Sequence, residues 1–334
     1  MSEQAGPKQV FIVGMPRSGT TWVMWLLARH PGIVALQQSG MILPLKRMED
    51  WWLEDHRFTS PSAGGAEPSP YSMRSSTGVL EHGELLEQCR ILGQRVIDRV
   101  ARATPGTLAV VEQTPEHVEF VPFIRSLFPE AYFLHVVRDP RAVYSSMRTA
   151  LCTWASPGGF PSGPVHIARA WETYVKLGRG IGEQTDRHAN VRYEDLMADP
   201  EAELARLGEW LGIEASASER AAAVEACSID KLRENTDAPQ GFFRRGSADG
   251  WKEELSGSEL RAVEYVAREE LAAWGYERVH PRSDTKPLRV SLQESTSRFV
   301  RSRYGHKLLG RPSRALERLG RTIQLMRDFK LLKY

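Results

Sequence analysis

Gln9-Val-Phe-Ile-Val-Gly14-Met-Pro-Arg17-Ser18-Gly19-Thr20-Thr21-Trp22 is the stretch on which the fold of this chain turns. Residues 9–14 form a short apolar, β-branched run of the kind that makes a strand buried on both faces. A tight glycine-bearing turn follows, and Trp22–His30 reads as a helix. Strand, glycine turn and helix make the opening unit of a phosphate-binding α/β fold. The spacing from Gly14 to Gly19-Thr20-Thr21 is that of a nucleoside-triphosphate loop, where backbone N–H groups curl around an anion at a helix N-terminus. The lysine that normally reaches the β- and γ-phosphates is missing, and Arg17 is the nearest cation. The loop therefore suits a phosphate-like anion without being built as an ATPase. Two roles are open to Trp22: core packing, or a flat surface for a nucleotide base.

The 334 residues are 26% charged and 41% hydrophobic, as in an ordinary globular protein. A net charge of +2 argues against nucleic acid as a partner. Residues 281–334 hold fourteen Lys or Arg against four Asp or Glu, which leaves the first 280 residues at −8. This divides the chain into a body over residues 8–280 and a basic helical C-terminal extension over residues 281–334. Cys89, Cys152 and Cys227 are odd in number and widely spaced, which fits reduced thiols. No apolar run nears the roughly 18 residues of a membrane span. The N-terminus lacks the charged start and apolar middle of a signal peptide, so a cytoplasmic location is expected.

Between Leu80 and Ala103 the apolar residues recur at helical spacing, and residues 108–112 and 131–137 read as buried strands separated by a helix near 117–128. Helices are expected at 139–151, 166–187 and 200–211, with residues 190–196 a strand leading into a turn. Residues 33–58 give no clear pattern, and the Ser-, Pro- and Gly-rich residues 59–78 read as a loop. The alternation predicts an α/β protein: a three-layer P-loop-like fold, with a central parallel sheet flanked by helices in a single domain.

Three further segments follow the loop. Arg138 closes the strand His135-Val-Val, and Ser146 lies eight residues on, in the next helix. A guanidinium forks onto a phosphate and a hydroxyl adds a short hydrogen bond; the competing reading is a local Arg138–Asp139 ion pair. Tyr193 heads Tyr-Glu-Asp-Leu, and Phe243-Arg244-Arg245-Gly246 precedes Trp251-Lys252. Together with Pro16-Arg-Ser-Gly-Thr-Thr-Trp22, these segments resemble the PAPS-dependent sulfotransferases over about residues 8–275. The resemblance implies transfer of a sulfuryl group from 3′-phosphoadenosine 5′-phosphosulfate (PAPS) to a hydroxyl or amine, with release of PAP and no metal. The acceptor would be a small molecule, a carbohydrate or a lipid-like compound. Arg17, Ser18, Gly19, Thr20 and Thr21 would cradle the 5′-phosphosulfate, with Trp22 closing the same motif. Arg138, Ser146, Arg244, Arg245 and Gly246 would hold the 3′-phosphate, and Tyr193 would lie beside the adenine. Its competing role is that of a core tyrosine. Asp249-Gly250 stands where the family has Gly-Asp.

A general base is sought at Val111-Glu112-Gln113-Thr114-Pro115-Glu116-His117. Small-molecule sulfotransferases carry Lys-Thr-His here, whereas this chain resembles the Glu-Lys-Thr-Pro version, in which the glutamate is the base. Glu112, at a strand's carboxyl end, is the first candidate, and His117 the second. Arg17 joins them as the catalytic cation, and Gln113 replaces the family's lysine. Residues 38–78, with Trp51 and Trp52, are left for the acceptor pocket. Residues 311–334 place Leu316, Leu319, Ile323, Met326 and Phe329 at helical spacing among arginines. Such a helix packs on the body or on a second copy in a homodimer, or it touches a lipid surface or an acidic carrier protein. The competing functions are a kinase or NTPase with a degenerate loop, and a PAP-binding module without catalysis.

Overall fold

Five short runs pair into one parallel sheet in the computed structural model, which describes residues 6–59, 80–155, 161–235, 248–280, 286–287 and 290–291. They are β1 (Lys8–Gly14), β2 (Ile33–Gln37), β3 (Ala109–Gln113), β4 (Tyr132–Val137) and β5 (His188–Arg192), in the spatial order β2-β3-β1-β4-β5. The helices begin with α1 (Thr20–Leu27), α2 (Ile42–Thr59), α3 (His82–Ala103), α4 (Val121–Leu127), α5 (Pro140–Thr153) and α6 (Pro164–Arg179). They continue with α7 (Tyr193–Ala198), α8 (Pro200–Leu211), α9 (Ala217–Ala226), α10 (Ile229–Asn235), α11 (Trp251–Glu254), α12 (Gly257–Val266) and α13 (Arg268–Ala273).

Alternation along β1 explains the three layers. Val10 and Ile12 pack with Val23, Met24 and Leu27 of α1 and with Leu207 and Leu211 of α8. Phe11 and Val13 join the opposite cluster, with Trp52 of α2, Leu85 and Cys89 of α3 and Ile124 of α4. Both faces are covered, so the strand reads as an unbroken apolar run. A third cluster ties Val137 to α5, α6 and α12 through Met147, Trp171 and Val263.

The expected architecture holds, with local differences. The unassigned residues 33–58 hold an edge strand and a helix. That strand is short and only half-buried, so it lacks a two-faced apolar signature. The helix expected near 117–128 is a 3₁₀ turn over Pro115–Phe120 followed by α4, because Pro115 and Pro122 cannot donate within one continuous helix. The helix expected to reach residue 187 stops at Arg179, and Tyr193 opens α7 rather than ending a strand. Beyond residue 280 the chain still meets the body, where Val290 is buried against Val165 and Ala262. The rest of the basic extension, including residues 311–334, lies outside the described residues, as does almost all of the expected loop over residues 59–78. No described helix is long and apolar enough to cross a membrane.

The strand order locates the site. The connection from β1 leads to β2 on one side of the sheet, while that from β3 leads to β4 on the other. Neighbouring strands whose connections diverge open a crevice at their carboxyl ends, where ligands of such sheets bind. The loop after β1 and the end of β3 form the lips of this crevice.

His135 of β4 lies in the core, with no solvent exposure. Burial pulls its pKa down to about 4, although Asn190 Oδ1 lies 3.0 Å from Nδ1, where it accepts from the protonated nitrogen. The unfolded chain takes up this proton at the ordinary value near 6.5, so the folded state loses stability as pH falls from 6.5 towards 4. This amounts to roughly 3 kcal/mol over that window. We expect melting temperatures of the wild type to fall more steeply between pH 7 and pH 4 than those of His135→Gln. Parallel curves for the two proteins would contradict this account.

Candidate active site

The loop between β1 and α1 requires glycine at two positions. A Cβ on Gly14, whose φ is 147°, would lie 2.4 Å from the carbonyl oxygen of Val136 in the neighbouring strand. A Cβ on Gly19, with φ 96°, would lie 2.4 Å from the Tyr193 ring. Arg17 holds a left-handed φ of 73°, a strain of about 1–3 kcal/mol that a non-glycine residue keeps only under outside constraint. Among the described residues no side chain caps α1. Its first N–H groups and the positive end of its dipole therefore remain available to an anion. Ser18 is fully buried, and its Oγ has no hydrogen-bond partner among the described residues.

Residues distant in sequence converge on this loop. Arg17 Nε donates to Ser146 Oγ of α5 at 3.1 Å, and its guanidinium lies over the Trp154 ring at 5.4 Å. Arg138, just past β4, donates to the carbonyl of Arg17 at 3.2 Å and stacks on the Tyr193 ring at 4.2 Å. Trp22 meets Tyr193 edge-on at 5.8 Å, while its Nε1 donates to the Cys227 carbonyl at 3.0 Å. Trp22 is thus tied into the body on one side and remains half-buried. Thr20 is buried and accepts from Gln113, and Thr21 beside it is half-buried.

The backbone of Arg138 is pinned on both sides. Its carbonyl accepts from Trp171 Nε1 at 2.8 Å, and the next N–H, of Asp139, donates to Glu194 at 3.0 Å. Glu194 also accepts from the Tyr276 hydroxyl at 2.7 Å, and burial raises the pKa of both groups. The Asp139 carboxylate is taken by Arg141 at 2.6 Å, which answers the alternative of an Arg138–Asp139 pair. Arg141 also bridges to Glu264 at 2.6 Å and stacks on Trp251 at 4.1 Å, so it anchors the start of α11 to α5. Arg244, Arg245 and Gly246 lie outside the described residues.

Across the crevice, Glu112 is buried at the end of β3. Its Oε1 accepts from the Ser39 N–H at 3.3 Å, the Ser39 hydroxyl at 2.9 Å and the Thr114 hydroxyl at 2.6 Å. Its Oε2 lies 2.9 Å from Nδ1 of the equally buried His117. The two atoms are close without the alignment of a hydrogen bond. The two candidate bases therefore stand together. Ser39 had no sequence signal, because it follows the unrecognised edge strand in a turn where Gln38 has a left-handed φ of 45°. Thr114 sits inside the quoted motif, but only the fold shows which oxygen it meets.

Arg141, Asp139 and Glu264 are all nearly sealed from solvent. Replacing Arg141 by Met would strand two carboxylates, and we expect a loss of about 3–5 kcal/mol. Urea unfolding measures it directly; a change under 1 kcal/mol would show that the ion pairs carry little.

The chain as a whole is similar to several known proteins. The profile of the Sulfotransferase family matches residues 7–217. Nodulation protein NoeE of Sinorhizobium fredii is 26% identical over 304 residues, covering 83% of this chain and 68% of that protein. The omega-hydroxy-beta-dihydromenaquinone-9 sulfotransferase Stf3 of Mycobacterium bovis is 33% identical over 111 residues, which are 31% of this chain and 29% of that enzyme. Among solved structures, the sulfotransferase domain from the curacin biosynthetic pathway superposes with a TM-score of 0.50 at 15% identity. It covers 81% of this chain and 99% of that domain, a likeness of fold.

Proposed function

This chain belongs to the sulfotransferase family, and we propose that it moves a sulfuryl group from PAPS to an acceptor hydroxyl, releasing PAP. The observation that carries the donor assignment is the linkage of Arg17 to both Ser146 and Arg138. It joins a 5′-anion loop to an Arg–Ser pair suited to a second phosphate. Adenosine carrying phosphates at both ends fits such a pair of sites, whereas ATP has no 3′-phosphate. The buried and unmatched Ser18 hydroxyl and the uncapped start of α1 supply further donors for the 5′ end. Tyr193 and half-buried Trp22 offer aromatic surface between the two.

In this reading Arg17, the loop amides and the Thr20 and Thr21 hydroxyls stabilise charge on the transferred group and on the departing phosphate oxygen. The acceptor oxygen forms its new bond to sulfur as the bridging S–O bond breaks, and the bonding pair leaves with the 5′-phosphate. His117 takes the acceptor's proton, and Glu112 orients the imidazole through the 2.9 Å approach to Nδ1. Three donors already occupy the other oxygen of Glu112, which favours its service as an orienting anion. The name of the mycobacterial relative supports a hydroxyl as the accepting group. Leu43, Met48 and Trp51 expose an apolar strip on α2, a helix that starts three residues after Ser39, and this supports an acceptor with an apolar portion. We place the body over residues 8–280 and keep a basic extension beyond it as a contact surface.

Thermal melts with PAP, ADP and Mg-ATP at equal concentrations test the donor. A ligand at a hundred times its Kd adds about 2.7 kcal/mol, so PAP alone should raise the melting temperature clearly. A shift with Mg-ATP only would mean a kinase. With PAPS and an active acceptor, His117→Ala should lower kcat about 10²- to 10⁴-fold while PAP affinity stays unchanged. Full activity in that variant would remove His117 from the mechanism.

A further inference from the structure

We propose that Gln113 is a positioning residue that sets the direction of the Thr20 hydroxyl, turning its proton towards the anion held by the loop. The proposal rests on the donor site assigned above. Gln113 ends β3 in register with Ile12 of β1, directly beside the strand that feeds the loop. Its Nε2 donates to Thr20 Oγ1 at 3.0 Å. Gln113 has no solvent exposure and Thr20 has 3%, so water does not compete for this contact.

A hydroxyl carries one proton and two lone pairs. The amide N–H of Gln113 occupies one lone pair of Thr20, and the described residues offer no acceptor for the proton. Thr20 is the first residue of uncapped α1, where the positive end of the helix attracts an anion. An anion there receives the O–H. Without the amide, nothing among the described residues fixes the direction of the Thr20 proton, and the hydroxyl rotates freely.

The other end of the side chain strengthens the argument. Gln113 Oε1 is buried and meets no donor among the described residues. A buried carbonyl oxygen left unmatched is unfavourable, and an apolar residue of the same length would avoid it. An amide kept at such a position is kept for its N–H. Gln113 therefore acts on the donor through Thr20, not as a charge of its own.

Calorimetric titration with PAP on four proteins tests this: wild type, Gln113→Met, Thr20→Val and the double variant. Removing one hydrogen bond to a charged group weakens binding by about tenfold or more, so each single variant should lose at least about that factor. The double variant should bind PAP within about twofold of Thr20→Val alone, because the amide acts only through the hydroxyl. Losses that multiply in the double variant would overturn the role of Gln113, as would unchanged affinity in Gln113→Met. Absence of PAP binding by the wild type would instead overturn the donor assignment, and the positioning role with it.

Discussion

The edge of the Tyr193 ring occupies the space where a side chain on residue 19 would begin. Only glycine lets the loop after β1 close on the first residue of α7, and the closure organises the mouth of the sheet. Tyr193 in turn carries Arg138 on its ring, and Arg138 reaches the carbonyl of Arg17. Residues about 120 and 175 positions beyond the loop are thereby brought to it. With any Cβ at position 19, the ring moves away and Arg138 and Arg17 lose their common reference.

The site is built from unfavourable local choices that the surrounding body sustains. Arg17 keeps a left-handed backbone, and among the described residues the buried oxygens of Ser18 and Gln113 are unmatched and no side chain caps α1. Such features persist where tightly packed structure over-determines them, and they suit a pocket that must present donors before its ligand arrives. The constraint comes from two apolar layers on the sheet and from the Asp139–Arg141–Glu264 cluster, which locks α5 to α12. Pinning of Arg138 by Trp171, and of the next N–H by Glu194, is part of the same frame.

Glu112 and His117 illustrate how packing brings together groups that spacing leaves apart. A motif seen in one dimension offers two candidate bases five residues apart. The 3₁₀ turn after β3 folds His117 back until Nδ1 lies beside Oε2 of the glutamate. Ser39, arriving from a separate strand, fills the other carboxylate oxygen. The two side chains thus share one buried corner of the crevice, and the proposed reaction uses them together.

The central strands, the glycine loop after the first of them and their order along the chain were legible in the sequence, because these rest on local chemistry. A strand buried on both faces must be a continuous apolar run, and glycine is favoured at loop positions whose backbone leaves the usual region, as at Gly14 and Gly19. Arg138 was legible for the same reason, since it follows an apolar strand, whereas Ser146 and Tyr193 were read from their short motifs. Tertiary structure alone decided which of these groups touch. It paired Arg17 with Ser146, gave Asp139 to Arg141 rather than Arg138, and set Gln113 against Thr20. It also revealed the edge strand β2 and the role of Ser39, because a half-buried edge strand carries only a weak pattern. Contacts between residues a hundred positions apart depend on how layers stack around a shared core, and no local pattern encodes that distance.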